Sequence, residues 1–154
     1  MKARDQATRP NETAMHHSHI DWQTAFELGI EGIDFQHRYF VDLINRLSDD
    51  LESGNDQKYH AALLNELKAY ARFHFVSEEN LMMRCAYPGL DEHKRHHREL
   101  VDQMSARIAK LEISYSETSA DAIIRFLIDW FSNHTVSEDR RFADWLQQGN
   151  PAQT

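Results

Sequence analysis

The sequence has one cysteine, Cys85, five glycines and three prolines in 154 residues. A single thiol excludes an internal disulfide and suits a reducing compartment. So few helix breakers leave room for long helices. No run comes near the roughly 18 apolar residues that a membrane span needs. The first 20 residues carry no apolar stretch of the kind a secretory leader uses. A cytoplasmic location with no membrane partner is therefore expected. Basic residues are also short: 17 Lys and Arg stand against 25 Asp and Glu, a net charge of −8. No nucleic-acid partner is expected, because no surplus of cations exists to displace counterions from phosphates. Histidine, in contrast, is plentiful, with ten residues.

The length suits one domain with one core. Residues 1–19 hold almost no apolar side chain and are expected to form a flexible polar arm, with His16, His17 and His19 as exposed spectators. Trp22, Phe26, Leu28 and Ile30 follow, able to anchor a segment across the end of a bundle. Four stretches with helical period come next. The first has Asp34 as its expected N-cap and runs to about Leu51, before the turn chemistry of Ser53-Gly54-Asn55-Asp56. The second spans about Gln57 to Cys85 and stops ahead of Tyr87-Pro88-Gly89. The third covers about Leu90 to Leu111, and the fourth about Ser119 to Gln148, with 149–154 as a tail. Links this short force neighbouring helices antiparallel. The expected fold is all-α, an antiparallel up-down-up-down four-helix bundle over residues 20–148 with an extended N-terminal arm.

Each helix carries an apolar stripe at steps of three and four. The first reads Ile33, His37, Phe40, Ile44, Leu47, Leu51. The second reads Leu64, Leu67, Ala71, His74, Glu78, Leu81, Cys85. The third reads Leu90, His93, His97, Leu100, Met104, Ile108, Leu111. The fourth reads Ile124, Leu127, Phe131, His134, then Asp139, Phe142, Leu146. Every stripe contains a histidine, and two contain a carboxylate. Counted from the shared ends at about 1.5 Å per residue, all seven groups fall in one layer nearer one end of the bundle. Seven unpaired buried polar groups, at roughly 1–3 kcal/mol each, would consume a net stability of only about 5–15 kcal/mol. Metal coordination removes that cost by using the imidazole lone pairs and neutralising the acids.

The spacings agree. His74 and Glu78 are i,i+4, as are His93 and His97, so each pair shares a helical face. His134 and Asp139 are i,i+5, about 140° apart on a regular helix. The apolar stripe makes the same slip, with one step of five. This predicts a π-bulge or local unwinding between His134 and Asp139. Five histidines and two carboxylates exceed one structural zinc site and one octahedron. Two metals bridged by Glu78 and Asp139 would use the set, and ligand type alone does not choose iron over zinc.

The motifs IDFQH, HFVSEE, His93-x3-His97 and His134-x4-Asp139, in this order, resemble the hemerythrin family, and its bacterial branch, bacteriohemerythrin, most closely. The resemblance covers about residues 20–147, including Trp22, Gly29 and YPGLDEH. It implies a non-haem di-iron centre with an oxo or hydroxo bridge and O2 as its ligand. His93, His97 and His134 would bind one iron, and His37 and His74 the other. Glu78 and Asp139 would bridge the two. The iron with two histidines would keep the open position for O2. Trp130, Phe40 and Leu81 are the candidate walls of the O2 pocket. Thr135 and Ser137 flank His134, and either one reaching that pocket would admit water.

The expected function is reversible O2 binding for storage, delivery or buffering, by an oxygen-transport protein rather than an enzyme. A bundle with an internal site needs no second copy, so a monomer is expected, with an O2-consuming protein as a recipient. The alternatives use the same centre, as an O2 or redox sensor or as a peroxide- or nitric-oxide-handling enzyme. The chain contains neither the Glu-x-x-His pair of ferritin-like oxidases nor the H-E-x-x-H of zinc proteases. His96, about 100° round from His97, is expected to face solvent. His60 is expected at the surface or bundle end, and Cys85 as a small buried filler.

Overall fold

A computed structural model describes residues 18–53 and 56–149. The expectations for His16, His17, the rest of residues 1–17, the Gly54-Asn55 turn and residues 150–154 lie outside the described residues. The helices are α1 (Glu31–Glu52), α2 (Gln57–Arg84), α3 (Leu90–Ile113) and α4 (Glu117–His134). A π turn, Thr135–Asp139, joins α4 to α5 (Arg140–Gln147). With α4 and α5 forming one rod through the π turn, the fold is an all-α four-helix bundle. Among the described residues no helix is long and apolar enough to cross a membrane.

Local chemistry sets the ends. Asp56 caps α2 by accepting from the Lys58 amide at 3.1 Å, and Ser116 caps α4 by accepting from the Ser119 amide at 3.1 Å. The N-cap of α1 is Ile30, not Asp34. Asp34 lies inside the first turn, and its carboxylate reaches back to the amides of Leu28 (2.7 Å) and Gly29 (3.0 Å). The acid thus satisfies donors ahead of the helix, which lets the helix begin a turn earlier. Gly29, with φ of +77°, supplies the left-handed residue that this reversal needs. At the other end of α2, the amide of Tyr87 bonds to the carbonyl of Met82 and that of Ala86 to Met83. This is a Schellman closure, with Ala86 in the position that glycine favours.

The segment before α1 lies across the bundle end as expected. Phe26 and Leu28 are buried, and Trp22 and Ile30 are half-buried. Arg140, just past the π turn, clamps this segment by donating to the carbonyls of Ala25 (3.0 Å) and Glu27 (2.6 Å). The main core runs from Ile20 and Phe26 through Ile44, Leu64, Leu100 and Met104 to Phe131. Smaller apolar clusters, built on Leu28, Ile33 and Ala143 and on Met82, Cys85 and Phe142, close the other side. Cys85 is a buried free thiol in that packing. His60 is buried too, not at the surface. At the far bundle end its ring bonds to the Tyr115 hydroxyl (2.8 Å) and to the Asp50 carbonyl (3.1 Å).

Candidate metal centre

Between these apolar clusters lies a polar layer. His37, His74, Glu78, His93, His97, His134 and Asp139 are all buried, and the two carboxylates are fully so. Their ligand-type atoms form two groups: Glu78, His93, His97, His134 and Asp139 in one, and His37, His74, Glu78 and Asp139 in the other. Both carboxylates belong to both groups. The π turn at Thr135–Asp139 is what turns Asp139 onto the His134 face. With it in place, Asp139 Oδ1 lies 2.9 Å from His134 Nε2 and 3.2 Å from His93 Nε2, while Oδ2 faces His37 Nε2 at 3.3 Å.

The spacing of the donors is informative. Glu78 Oε2 lies 3.0 Å from His93 Nε2 and 3.2 Å from His97 Nε2, and the Nε2 atoms of His97 and His134 are 3.2 Å apart. In the other group, the Nε2 atoms of His37 and His74 are 3.1 Å apart. Nitrogen and oxygen ligands sit about 2.0–2.2 Å from a metal such as zinc, which makes the edge of a six-coordinate polyhedron about 3 Å. The donor spacings match that edge. A hydrogen-bonded network would look different. Glu78 Oε1, both oxygens of Asp139 and His37 Nδ1 are buried with no directed hydrogen bond. The imidazoles of the layer stand within ion-pair distance of its two acids, but only His93 Nε2 is aligned for a hydrogen bond, to Glu78 Oε2 at 3.0 Å; the contacts of His37, His93 and His134 with Asp139 and of His97 with Glu78 are not. The donor set therefore fits two cations better than it fits itself.

Partners behind the layer set the tautomers. His74 Nδ1 lies 2.7 Å from Gln36 Oε1, and His97 Nδ1 lies 2.8 Å from Glu79 Oε1. Both oxygens can only accept, so each Nδ1 carries the hydrogen and each Nε2 keeps its lone pair. Without cations the layer is electrostatically divided. Burial holds the His74 pKa down to about 4. Burial also opposes the charged form of His93, but Asp139 and Glu78 outweigh it and push the pKa up to about 10. Burial and the neighbouring Asp139 work against the Glu78 carboxylate, yet His93 and His97 bring its pKa down to about 2.

A cavity of about 10 Å³ adjoins the two-imidazole group, bounded by His37, His74 and Asp139, with Phe40, Phe75, Trp130, Phe131 and Thr135 completing its walls. Phe40 and Trp130 thus line it. Leu81 does not: it packs against the Leu28, Ile33 and Ala143 cluster on the opposite side of the polar layer. The stripe placed Leu81 on the core face, but facing alone does not say which side of the layer a residue reaches. Thr135 is buried in this wall, whereas Ser137 turns outward and donates to the Asn133 carbonyl. His96 is half-buried rather than facing solvent. It lines an outer cleft of about 300 Å³ with Trp130, His134 and Glu138, and its Nδ1 lies 3.6 Å from Glu138. Periodicity passed over Phe75, whose ring stacks on His97 at 3.9 Å, and the outer partners Gln36 and Glu79. Phe75, Gln36 and Glu79 each stand one residue from a site histidine or from Glu78, inside the motifs IDFQH and HFVSEE.

The family model for the hemerythrin HHE cation binding domain matches residues 28–146. Bacteriohemerythrin of Clostridium acetobutylicum is 31% identical over 127 residues, covering 80% of this chain and 98% of that protein. Bacteriohemerythrin of Methylococcus capsulatus is 31% identical over 128 residues, covering 82% and 96%. A hemerythrin of Sipunculus nudus is 27% identical over 128 residues, covering 81% and 92%. Among solved structures, the crystal structure of a hemerythrin point mutant superposes with a TM-score of 0.73 at 29% identity, covering 81% of this chain and 95% of that one.

Proposed function

The chain belongs to the hemerythrin family, and on that premise we propose that it binds O2 reversibly at a non-haem di-iron centre, for storage, delivery or buffering. The family and the buried His, Glu and Asp cluster fit a di-iron oxygen-binding protein. His93, His97 and His134 would hold one iron, His37 and His74 the other, with Glu78 and Asp139 shared. When bound, the pair supplies the chemistry of O2 uptake and release, lending electrons to the ligand and recovering them.

The observation that carries this reading is the place of the small cavity. It adjoins the group with two imidazoles, which has fewer donors and therefore room for an incoming ligand, and not the group with three. The remaining work falls to the protein. Phe40, Phe75, Trp130 and Phe131 keep bulk water from that position, which favours a bound molecule leaving as it came. Gln36 and Glu79 hold the His74 and His97 rings in the tautomer that presents Nε2 inward. A cytoplasmic, reducing setting suits the lone buried thiol of Cys85.

The test is anaerobic reduction of the iron-loaded protein followed by an O2 titration, read by visible absorption and iron content. Two irons per chain and an absorption band that rises with O2 and fades under vacuum support the carrier. A band that collapses at once to the oxidised spectrum rejects it in favour of redox chemistry or sensing.

A further inference from the structure

We propose that the outer cleft lined by His96 and Glu138 is the port through which the buried layer takes up its metal, the two side chains serving as transient ligands for a divalent cation on its way to His134. The inference rests on the reading of that layer as a metal centre. All seven site residues are buried, so a cation has to reach them from water through the protein surface. His134 lines the outer cleft, which therefore runs from the surface to a member of the three-imidazole group. Size separates this cleft from the cavity beside His37 and His74. A six-coordinate hydrated cation carries six waters, about 180 Å³ at roughly 30 Å³ each. The cleft, at about 300 Å³, admits it. The inner cavity, at about 10 Å³ and walled by aromatic rings, has room for about one water.

The lining is suited to replacing that water. His96, Glu99 and Glu138 are metal-type donors outside the buried set, and Gln103 and Asn133 add amide oxygens. His96 Nδ1 is buried with no hydrogen-bond partner. It lies 3.6 Å from Glu138 Oε2, beyond hydrogen-bond range. Two ligands at about 2.0–2.2 Å from one ion stand about 3 Å apart at right angles and about 4 Å apart when opposite, so this pair is spaced to share a cation. The acids are held loosely. Glu138 pairs with the exposed Arg141 at 3.2 Å, and Glu99 with the exposed Arg95 at 2.9 Å; Arg95 also reaches His96 Nε2 at 3.3 Å. Surface contacts of this kind contribute little, and a divalent cation displaces them readily. Chain order supplies the hand-over. His96 precedes His97 and Glu138 precedes Asp139, so each outer donor is one residue from a site residue. Glu138 and Asp139 both belong to the π turn. The cation exchanges waters for His96 and Glu138, then exchanges those for His134 and Asp139, and no electron changes hands.

Cobalt(II) is the probe. The metal-free protein is mixed with cobalt(II) and uptake is followed by the visible absorption of the bound ion. The parent is compared with the double variant His96→Ala, Glu138→Gln and with Glu99→Gln. The double variant is expected to load about tenfold more slowly and to release its metal to a chelator more slowly in the same proportion. Its final metal content is expected to equal the parent's, because a port acts on both directions alike. Glu99→Gln removes the same charge from the cleft but leaves the His96–Glu138 pair, and is expected to load within about twofold of the parent. A double variant that loads at the parent's rate overturns the proposal. So does one that ends with less metal, which marks a structural or permanent ligating role. Equal slowing in Glu99→Gln overturns it as well, since the charge of the cleft then accounts for the rate. The carrier reading fails separately: a parent that loads through the cleft but does not release O2 keeps the port and loses the carrier. A parent that binds neither cobalt(II) nor iron overturns both.

Discussion

Deleting Val136 should leave the bundle and its metal site standing, although it removes a residue from the middle of a core helix. On a regular helix His134 and Asp139 are about 140° apart; with one residue fewer between them the angle is about 40°. The π turn already absorbs that extra residue, placing Asp139 Oδ1 2.9 Å from His134 Nε2. Downstream, Phe142 and Ala143 are buried, so α5 already follows the four-step register. Val136 is itself 43% exposed, and its removal forfeits little packing. The contrast is deletion of the exposed Asp129, within regular α4. That deletion turns Ile123, Ile124 and Leu127 by about 100° relative to Phe131 and His134. Three large aliphatic side chains at about 1.5–3 kcal/mol each approach the whole net stability of about 5–15 kcal/mol. Iron per chain and thermal unfolding by circular dichroism are the assays. The Val136 deletion is expected to keep its iron and melt within about 5 °C of the parent, while the Asp129 deletion fails to fold. If both deletions lose structure or metal alike, the register explanation of the π turn is wrong.

Three further outcomes are expected. The metal-free protein should be most stable near neutral pH. His74, held at about 4 by burial against an ordinary 6.5, costs stability as pH falls from 6.5 toward 4. His93, raised to about 10 by its carboxylates, contributes stability that is complete below 6.5 and is lost as pH rises toward 10. Melting at pH 5, 7 and 9 checks this, and a steady rise across the three would contradict it. Gln36→Leu removes the acceptor behind His74 Nδ1 and should weaken metal binding about 10–100-fold in chelator competition, with little change in metal-free melting. Ala86→Gly relieves a left-handed residue at φ of 55° and should add about 1 kcal/mol of stability without altering iron content; an unchanged or lowered melting temperature would count against the strain.

The helices and the seven polar groups on their buried stripes were legible in the sequence because helical rotation is a matter of counting. A residue's angle about its axis depends on its number, and its depth depends on distance from a turn. Even the π turn could be read, since the apolar stripe and the His134–Asp139 pair slip by the same residue. His60 shows where counting stops. Its position at a bundle end was legible, but its burial depends on Tyr115 and Asp50 arriving from other helices.

The tertiary structure decided matters of neighbours rather than of phase. It set which oxygen of Asp139 faces His37 and which faces His93 and His134. It put Leu81 with the end cluster, away from the cavity, and gave the wall to Phe75 and Phe131. It turned Thr135 inward and Ser137 outward within one π turn. Periodicity along one chain specifies the direction in which a side chain leaves its own helix. What that side chain meets depends on the rotation and offset of the other helices, and those are fixed only when all the stripes pack at once.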